Sequence, residues 1–101
     1  MAVVFLTITP LGTGSPSVSR YVAGVEQILR ATRLKSQLTA MGTIIEGDLD
    51  EILKVVRQMH EHPFTQGAVR VSTLIKIDDR RDKEHTIAGK MASVEEKLKG
   101  G

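Results

Sequence analysis

The order of apolar and polar residues in the first third of the chain predicts a strand followed by a helix. Residues 3–9, VVFLTIT, are rich in β-branched side chains and end at Pro10, which begins a loop rich in Gly and Ser. Over residues 18–33 the apolar positions recur at helical spacing, with Ser15 or Ser17 as the candidate N-cap. We therefore expect one strand, one loop and one helix in this part.

The middle of the chain predicts two short strands and a second helix. Residues 35–47 favour two strands joined by a bend at Ala40 to Gly42. Asp48 with Glu51 three residues later has the spacing of a capping box, and a single apolar stripe follows. This second helix is expected to run to about residue 62, where Pro63 would stop it.

The last third predicts a strand at residues 68–77 and a C-terminal helix that starts at Thr86. The full order is then β-α-β-β-α-β-α. This order predicts an α+β fold of the ferredoxin-like kind, with an antiparallel sheet, both long helices on one face and an added C-terminal helix. The chain, residues 1–101, is expected to form one domain.

Composition narrows the classes of function. Lys and Arg number 14 against 12 Asp and Glu, and the two signs alternate along the chain, so no nucleic-acid-binding patch is expected. The absence of cysteine excludes a disulfide or zinc-thiolate framework. No segment approaches the roughly 20 apolar residues of a membrane span. We expect a cytoplasmic protein with no membrane partner.

One face of the predicted sheet is left without helices. The most apolar alternate positions of the first and last strands belong against the helices. The other face then carries Phe5 and Leu74 among polar residues, which are Thr7, Thr9, Arg70, Ser72 and Lys76. A face of this mixed character predicts burial against another copy of the chain.

Glu46 is the main candidate for chemistry, because it ends a strand just before the second helix. Its two oxygens suit a cation or the edge of an amidine-like ring. The alternative is a structural carboxylate that pairs with an arginine or caps the next helix. His60 and His62 resemble metal ligands, but residues two apart on a helix do not share a face, so no metal site is expected.

Two further features have structural explanations. The loop GTGSPS, residues 12–17, lacks the lysine and spacing of a phosphate-binding loop, and N-cap chemistry accounts for it. The charged run over residues 78–84 is typical of a solvated turn with local ion pairs. Arg80 and Arg81 could instead pair with carboxylates across a subunit boundary. We favour such a structural or interface role over catalysis.

The chain resembles the thiamine-binding (YkoF-like) family of small ferredoxin-like proteins. The resemblance lies in ITPLGTGSPSVSRYV, MGTIIEGDLDEIL, GAVRVSTLIKIDDRRDK and KMASVEEKL, which together span most of the sequence. It implies a homotetramer, built as a dimer of dimers through the sheets, that binds thiamine or its pyrimidine moiety and catalyses no reaction. It also implies that Thr43 and Glu46 are pocket residues. Thr7, Thr9 and Ser72 could add hydroxyls from neighbouring strands.

The sequence thus predicts a non-enzymatic, oligomeric protein that binds thiamine or a related pyrimidine at or near a subunit interface and needs no cofactor. Its expected partners are a small molecule and other copies of itself, through Phe5, Arg70, Leu74, Arg80 and Arg81. A second hypothesis is an assembly protein, structural or regulatory, without a ligand. A third and weaker one is a small enzyme that uses Glu46 with His60 or Arg70.

Overall fold

A computed structural model describes residues 1–14, 19–83 and 86–100 of the chain. The elements are β1 (Ala2–Pro10), α1 (Ser19–Arg30), β2 (Lys35–Leu38), β3 (Thr43–Gly47), α2 (Leu49–Thr65), β4 (Val71–Asp79) and α3 (Ile87–Gly100). This is the predicted β-α-β-β-α-β-α order. The predicted N-cap of α1, Ser15 or Ser17, lies outside the described residues.

The four strands form one antiparallel sheet in the order β2-β3-β1-β4. β1 pairs with β4 over its whole length, from Ala2 opposite Asp79 to Pro10 opposite Val71. It pairs with β3 only as far as Leu6, which lies opposite Thr43. The second half of β1 therefore has a strand neighbour on one side only. The ferredoxin-like prediction is confirmed.

The core lies between one face of the sheet and the helices α1 and α2. It is built from Val4, Leu6, Val25, Leu29, Ile45, Ile52, Val55, Val56 and Met59. Burying one such side chain contributes about 1.5–3 kcal/mol. The apolar alternate positions of β1 do face the helices, as predicted.

Two boundaries differ from the prediction. α2 continues through Pro63 to Thr65, because the buried Pro63 lies in the last turn and its carbonyl accepts from the N–H groups of Gln66 and Ala68, both at 3.0 Å. β4 begins at Val71 and continues into the charged run as far as Asp79, because Asp78 and Asp79 still pair with the start of β1.

α3 begins where it was predicted, and its hydrogen bond and ion pair with the described sheet residues lie near its start, at Ile87 and Lys90. The Thr86 hydroxyl accepts from the Gly89 N–H at 2.9 Å, which is N-cap geometry. None of the residues of α3 is buried. The radius of gyration, 15.3 Å, exceeds the roughly 13 Å of a compact domain of this size. No described helix is both long and apolar enough to cross a membrane.

Candidate functional site

A cavity of about 260 Å³ opens beside the part of β1 that extends beyond Thr43, the first residue of β3. Its walls are the second half of β1, helix α1, Met59 of α2 and the turn that joins β2 to β3. The polar residues among them include Thr7, Thr9, Glu26 and Thr43, and Val22 adds an apolar wall. We call this space the β1–α1 cavity.

Glu26 is the one ionisable side chain among the described residues that line the β1–α1 cavity. It lies on α1 and is only 7% exposed. Its Oε1 accepts a hydrogen bond from the hydroxyl of the equally buried Thr43, at 2.5 Å. Within the described residues, no donor meets its second oxygen. A buried carboxylate with a single hydrogen bond is unfavourable for stability, so its place at a cavity suggests a ligand.

The backbone of β1 adds polar groups to the same cavity. The Leu11 N–H donates to the Arg70 carbonyl at 2.9 Å, so odd-numbered residues of β1 direct their backbone groups to β4. Even-numbered residues direct theirs to the β3 side. Ile8 lies beyond the last residue of β1 that pairs with β3, so its N–H and C=O point toward the cavity.

The turn at residues 39–42 forms a fixed wall. The Thr39 hydroxyl donates to the Gly42 carbonyl at 2.7 Å and accepts from the N–H groups of Met41 and Gly42, at 3.2 and 3.1 Å. A Cβ at Gly42 would lie 2.6 Å from Phe5 Cζ and 2.9 Å from the Leu6 carbonyl oxygen. Glycine therefore permits the close approach of this turn to β1.

The structure brings together three of the five predicted ligand-binding residues. Thr7, Thr9 and Thr43 line the β1–α1 cavity, whereas Glu46 and Ser72 do not. Ser72 lies opposite Thr9 on β4. Glu46 is three residues from Thr43 along a strand, so its side chain emerges on the opposite face of the sheet.

Glu46 serves a different contact. It is 6% exposed, and its Oε2 accepts from the Ile87 N–H at 2.6 Å. Ile87 is the first residue of α3, where a carboxylate is favourable because the helix dipole is positive at that end. Glu46 thus holds the start of α3 on the sheet face that α1 and α2 leave open.

Sequence reasoning missed Glu26. Its signal is positional, because Glu26 lies four residues after Val22 and three before Leu29. These intervals place a charged side chain on the buried stripe of α1. A charge within an apolar stripe marks either a paired core residue or a site.

The predicted interface residues lie on or near the open face. The ring of Phe5 is half-buried beneath Gly42, and Leu74 is exposed. Arg70 is exposed just before β4. Arg80 and Arg81 form ion pairs within the chain, with Asp82 at 2.6 Å and Asp79 at 2.9 Å. The hydrogen bond from Arg80 lowers the pKa of Asp82 to about 2.

The two histidines of α2 have protein neighbours. His60 Nδ1 lies 2.6 Å from the Thr73 hydroxyl, on the helix side of the sheet. The His62 ring packs against Gly24 of α1. Glu46 lies opposite Val3 at one end of β1, on the other face from His60. The pairing of Glu46 with a histidine that the enzyme hypothesis required is therefore not formed.

Arg70 is also far from Glu46. Leu11, whose N–H donates to the Arg70 carbonyl, lies beyond the opposite end of β1 from Val3. The geometry brings together neither of the residue pairs that the enzyme hypothesis named.

Comparison with known proteins identifies relatives over nearly the whole chain. The family model for thiamine-binding protein matches residues 4–95. UPF0045 protein YqgV of Bacillus subtilis is 48% identical over 102 residues, which cover 97% of this chain and 98% of the relative. UPF0045 protein MJ1052 of Methanocaldococcus jannaschii is 43% identical over 91 residues, which cover 90% and 89% of the two chains.

Solved structures agree with the fold. The crystal structure of MJ1052 superposes with a TM-score of 0.85 at 42% identity, covering 94% of this chain and 96% of that one. A putative thiamine biosynthesis/salvage protein from Thermotoga maritima gives a TM-score of 0.76 at 18% identity, covering 92% and 97%. At that identity the second match shows the fold alone. The family match and these identities establish that the chain belongs to the thiamine-binding protein family.

Proposed function

We propose that the protein binds thiamine or a related aminopyrimidine in the β1–α1 cavity and catalyses no reaction on it. The observation that carries the proposal is the buried Glu26 carboxylate, which keeps one oxygen without a donor among the described residues at the wall of that cavity. Membership of the thiamine-binding family supports the choice of ligand class.

The polar groups of the cavity complement an aminopyrimidine. The exocyclic amine would donate to the second oxygen of Glu26, while Thr43 keeps the first oxygen in place. The backbone N–H of Ile8 would donate to a ring nitrogen. Thr7 and Thr9 also line the cavity, but side chains alternate along β1 and theirs leave the strand on the face opposite Ile8, so we assign no ligand contact to their hydroxyls.

The apolar walls suit the faces of a ring. Val22 and Met59 line the cavity, and a methionine sulfur makes favourable contacts with aromatic rings. A volume of about 260 Å³ accommodates a six-membered ring with its substituents. Because the polar groups of the cavity complement the aminopyrimidine, the pyrimidine half should provide most of the affinity.

The test is isothermal titration calorimetry with thiamine, its hydroxymethyl-pyrimidine half and its thiazole half. Thiamine and the pyrimidine should bind, and the thiazole should not. Glu26→Gln removes the charge that the amine meets and should weaken thiamine about 10- to 100-fold. Glu46→Gln makes the same chemical change on the other face of the sheet and should leave affinity unchanged.

The same titrations can also contradict the proposed site. Equal affinities for the wild type and Glu26→Gln would exclude the β1–α1 cavity as the site. Loss of binding in Glu46→Gln alone would restore the prediction that Glu46 is the ligand residue. Oxythiamine, which has a carbonyl oxygen in place of the amine, should bind at least tenfold more weakly than thiamine, because two acceptors would face each other.

We further propose that the protein assembles with copies of itself through the open face and α3, and that the assembly is a homotetramer. Two surfaces support this. Leu74 on the open face is 55% exposed, and the stripe of α3 formed by Met91, Val94 and Leu98 is exposed by 59, 55 and 74%. A helix without a packing partner gains little stability in isolation, so a second copy is the natural cover for its stripe.

The ligand cavity adjoins this open face. Phe5 lies on it, and the ring of Phe5 packs beneath Gly42, which also lines the cavity. Light scattering coupled to size-exclusion chromatography measures the mass directly, and four times the 11.0 kDa chain is expected. A monomeric mass would exclude self-association and leave the ligand proposal standing. An intact assembly that binds none of the ligands would favour the assembly hypothesis instead.

A further inference from the structure

The two edge strands of the sheet, β2 and β4, differ in how well each could pair with a strand of another molecule. β2 has four residues, Lys-Ser-Gln-Leu, and is short and polar, as natural protected edges are. β4 has nine residues in regular register with β1, yet its residues from Leu74 to Asp79 are all exposed. Ile75 and Ile77, on the side of the sheet that carries the helices, are 39 and 44% exposed.

The backbone groups of β4 alternate between β1 and the free edge. The Arg70 carbonyl accepts from Leu11 of the β1 side, so even-numbered residues of β4 direct their backbone groups to β1. The N–H and C=O groups of Val71, Thr73, Ile75 and Ile77 therefore point outward. An antiparallel partner on this edge must form its hydrogen bonds with these odd-numbered residues.

We propose that β4 pairs antiparallel with β4 of a second copy, with Leu74 facing Leu74 of the other copy across the two-fold axis. In this register Thr73 lies opposite Ile75 and Val71 opposite Ile77, each a pair of outward-directed residues. Arg70 then lies opposite Asp78, and Ser72 opposite Lys76. Two four-stranded sheets join into one continuous sheet, with both helix layers on the same side.

Charge favours this register over the two registers in which the two-fold axis is shifted by one residue. Symmetric pairing with the axis at Thr73 would set Arg70 opposite Lys76, and with the axis at Ile75 it would set Arg70 opposite Arg80. Each arrangement places like charges opposite one another twice, once on each side of the axis, which is destabilising. The axis at Leu74 replaces them with two Arg70–Asp78 pairs.

The same register covers apolar surface. The exposed Ile75 and Ile77 gain Thr73 and Val71 of the other copy as neighbours on their face, and the two Leu74 side chains meet on the open face. Asp78 already meets Lys90 of its own chain at 2.9 Å. A carboxylate has enough lone pairs to accept from Arg70 as well.

The inference deepens the proposed self-association and is independent of the ligand. Because the chain contains no cysteine, single-cysteine variants test it cleanly. Leu74→Cys should form a disulfide-linked dimer under mild oxidation, since directly opposite residues that do not exchange hydrogen bonds have Cα atoms about 4.5 Å apart. Thr73→Cys and Ile75→Cys should not, because in this register each lies about 8 Å from its own equivalent.

Each result of the cross-linking experiment either supports or excludes the proposed register. A dimer in Leu74→Cys alone supports the register, whereas a dimer in Thr73→Cys or Ile75→Cys alone overturns it in favour of a different axis. No disulfide in any of the three, with light scattering still reporting an oligomer, would exclude the β4 edge and leave self-association in place. A monomeric mass would exclude both, and thiamine titration of the same sample would still test the ligand proposal.

Charge reversal gives a second readout that needs no cross-link. Arg70→Glu sets a glutamate opposite Asp78 of the other copy on each side of the axis. This like-charge pairing should raise the dimer dissociation constant about tenfold. Arg30→Glu makes the same charge change at the exposed end of α1 and should have little effect. Equal dissociation constants for Arg70→Glu and the wild type would contradict the Arg70–Asp78 pair.

Discussion

Two buried glutamates, one on each side of the sheet, differ in what meets their oxygens. Glu46 is 6% exposed and accepts from the first N–H of α3 at 2.6 Å. Glu26 is 7% exposed and accepts from Thr43 at the wall of a cavity. Burial is equal, so burial alone does not distinguish a structural acid from a binding acid. The surroundings of each carboxylate do.

The comparison teaches which acid the fold itself uses. Glu46 anchors a helix that has no buried residue of its own, so the protein gains from its presence without a ligand. Glu26 lies at the wall of a cavity with one hydrogen-bond donor among the described residues, an arrangement that reduces stability until a ligand supplies another. The two residues should therefore respond in opposite ways to ligand and to substitution.

The largest expected effect is ligand-linked stability. Thiamine at 100 times its dissociation constant should raise the free energy of unfolding of the wild type by about 2.7 kcal/mol. Glu46→Gln should gain as much. The double variant Glu26→Met/Thr43→Val should gain almost nothing in the same thermal-shift titration. A full shift in the double variant would remove the distinction between the two acids.

Next in size is the effect of Thr43→Val without ligand. It leaves the buried Glu26 carboxylate without its donor, and the free energy of unfolding should fall by about 1–3 kcal/mol. The double variant Glu26→Met/Thr43→Val removes both polar partners and should recover wild-type stability within about 1 kcal/mol. Urea denaturation measures all three proteins. A double variant as unstable as Thr43→Val would show that Glu26 is a structural residue.

A smaller effect is expected on the other face. Glu46→Ala removes the acceptor of the Ile87 N–H, and α3 should lose about 1 kcal/mol of stabilisation, as when an N-cap residue is lost. Circular dichroism at 222 nm and proteolysis within residues 87–100 report the loss of helix. Glu26→Ala serves as the control and should leave α3 intact. Equal proteolysis of the Glu46→Ala variant and the wild type would contradict the anchoring role.

The smallest effect concerns an exposed acid, Asp82. Its pKa is lowered to about 2 by the hydrogen bond from Arg80, against an ordinary value of about 3.9. A carboxyl with a lowered pKa adds stability that is complete above about pH 4 and is lost as the pH falls to about 2. Asp82→Asn should thus be slightly less stable than the wild type at pH 5, and the two should converge near pH 2. A difference that persists unchanged to pH 2 would contradict the pair.

The fold was predictable because its signals are local. Alternation in β1, the stripe of α2 and the Asp48 cap, whose carboxylate accepts from the Glu51 N–H at 3.2 Å, all lie within a few residues of one another. The end of α2 was not predictable, because burial of Pro63 depends on packing between distant elements. The start of β4 likewise depends on its register with β1.

The site was only partly predictable, because it depends on where one strand stops. Thr7, Thr9 and Thr43 were identified from the resemblance and from their hydroxyls, and they do line one cavity. The cavity itself arises because β3 begins at Thr43 while β1 continues to Pro10. That mismatch and the inward direction of Glu26 are tertiary features. The residue three positions after Thr43, Glu46, was grouped with it in the sequence, but strand geometry separates the two onto opposite faces.

The most direct measurement is a titration of the ¹⁵N-labelled protein with thiamine, followed by amide chemical shifts. Gly42 and Thr43 line the β1–α1 cavity, whereas the Ile87 amide donates to Glu46 on the other face of the sheet. We predict that Gly42 and Thr43 shift in a saturable manner and that Ile87 does not. A saturable shift at Ile87 with Gly42 and Thr43 unchanged would place the ligand at Glu46 and contradict the account.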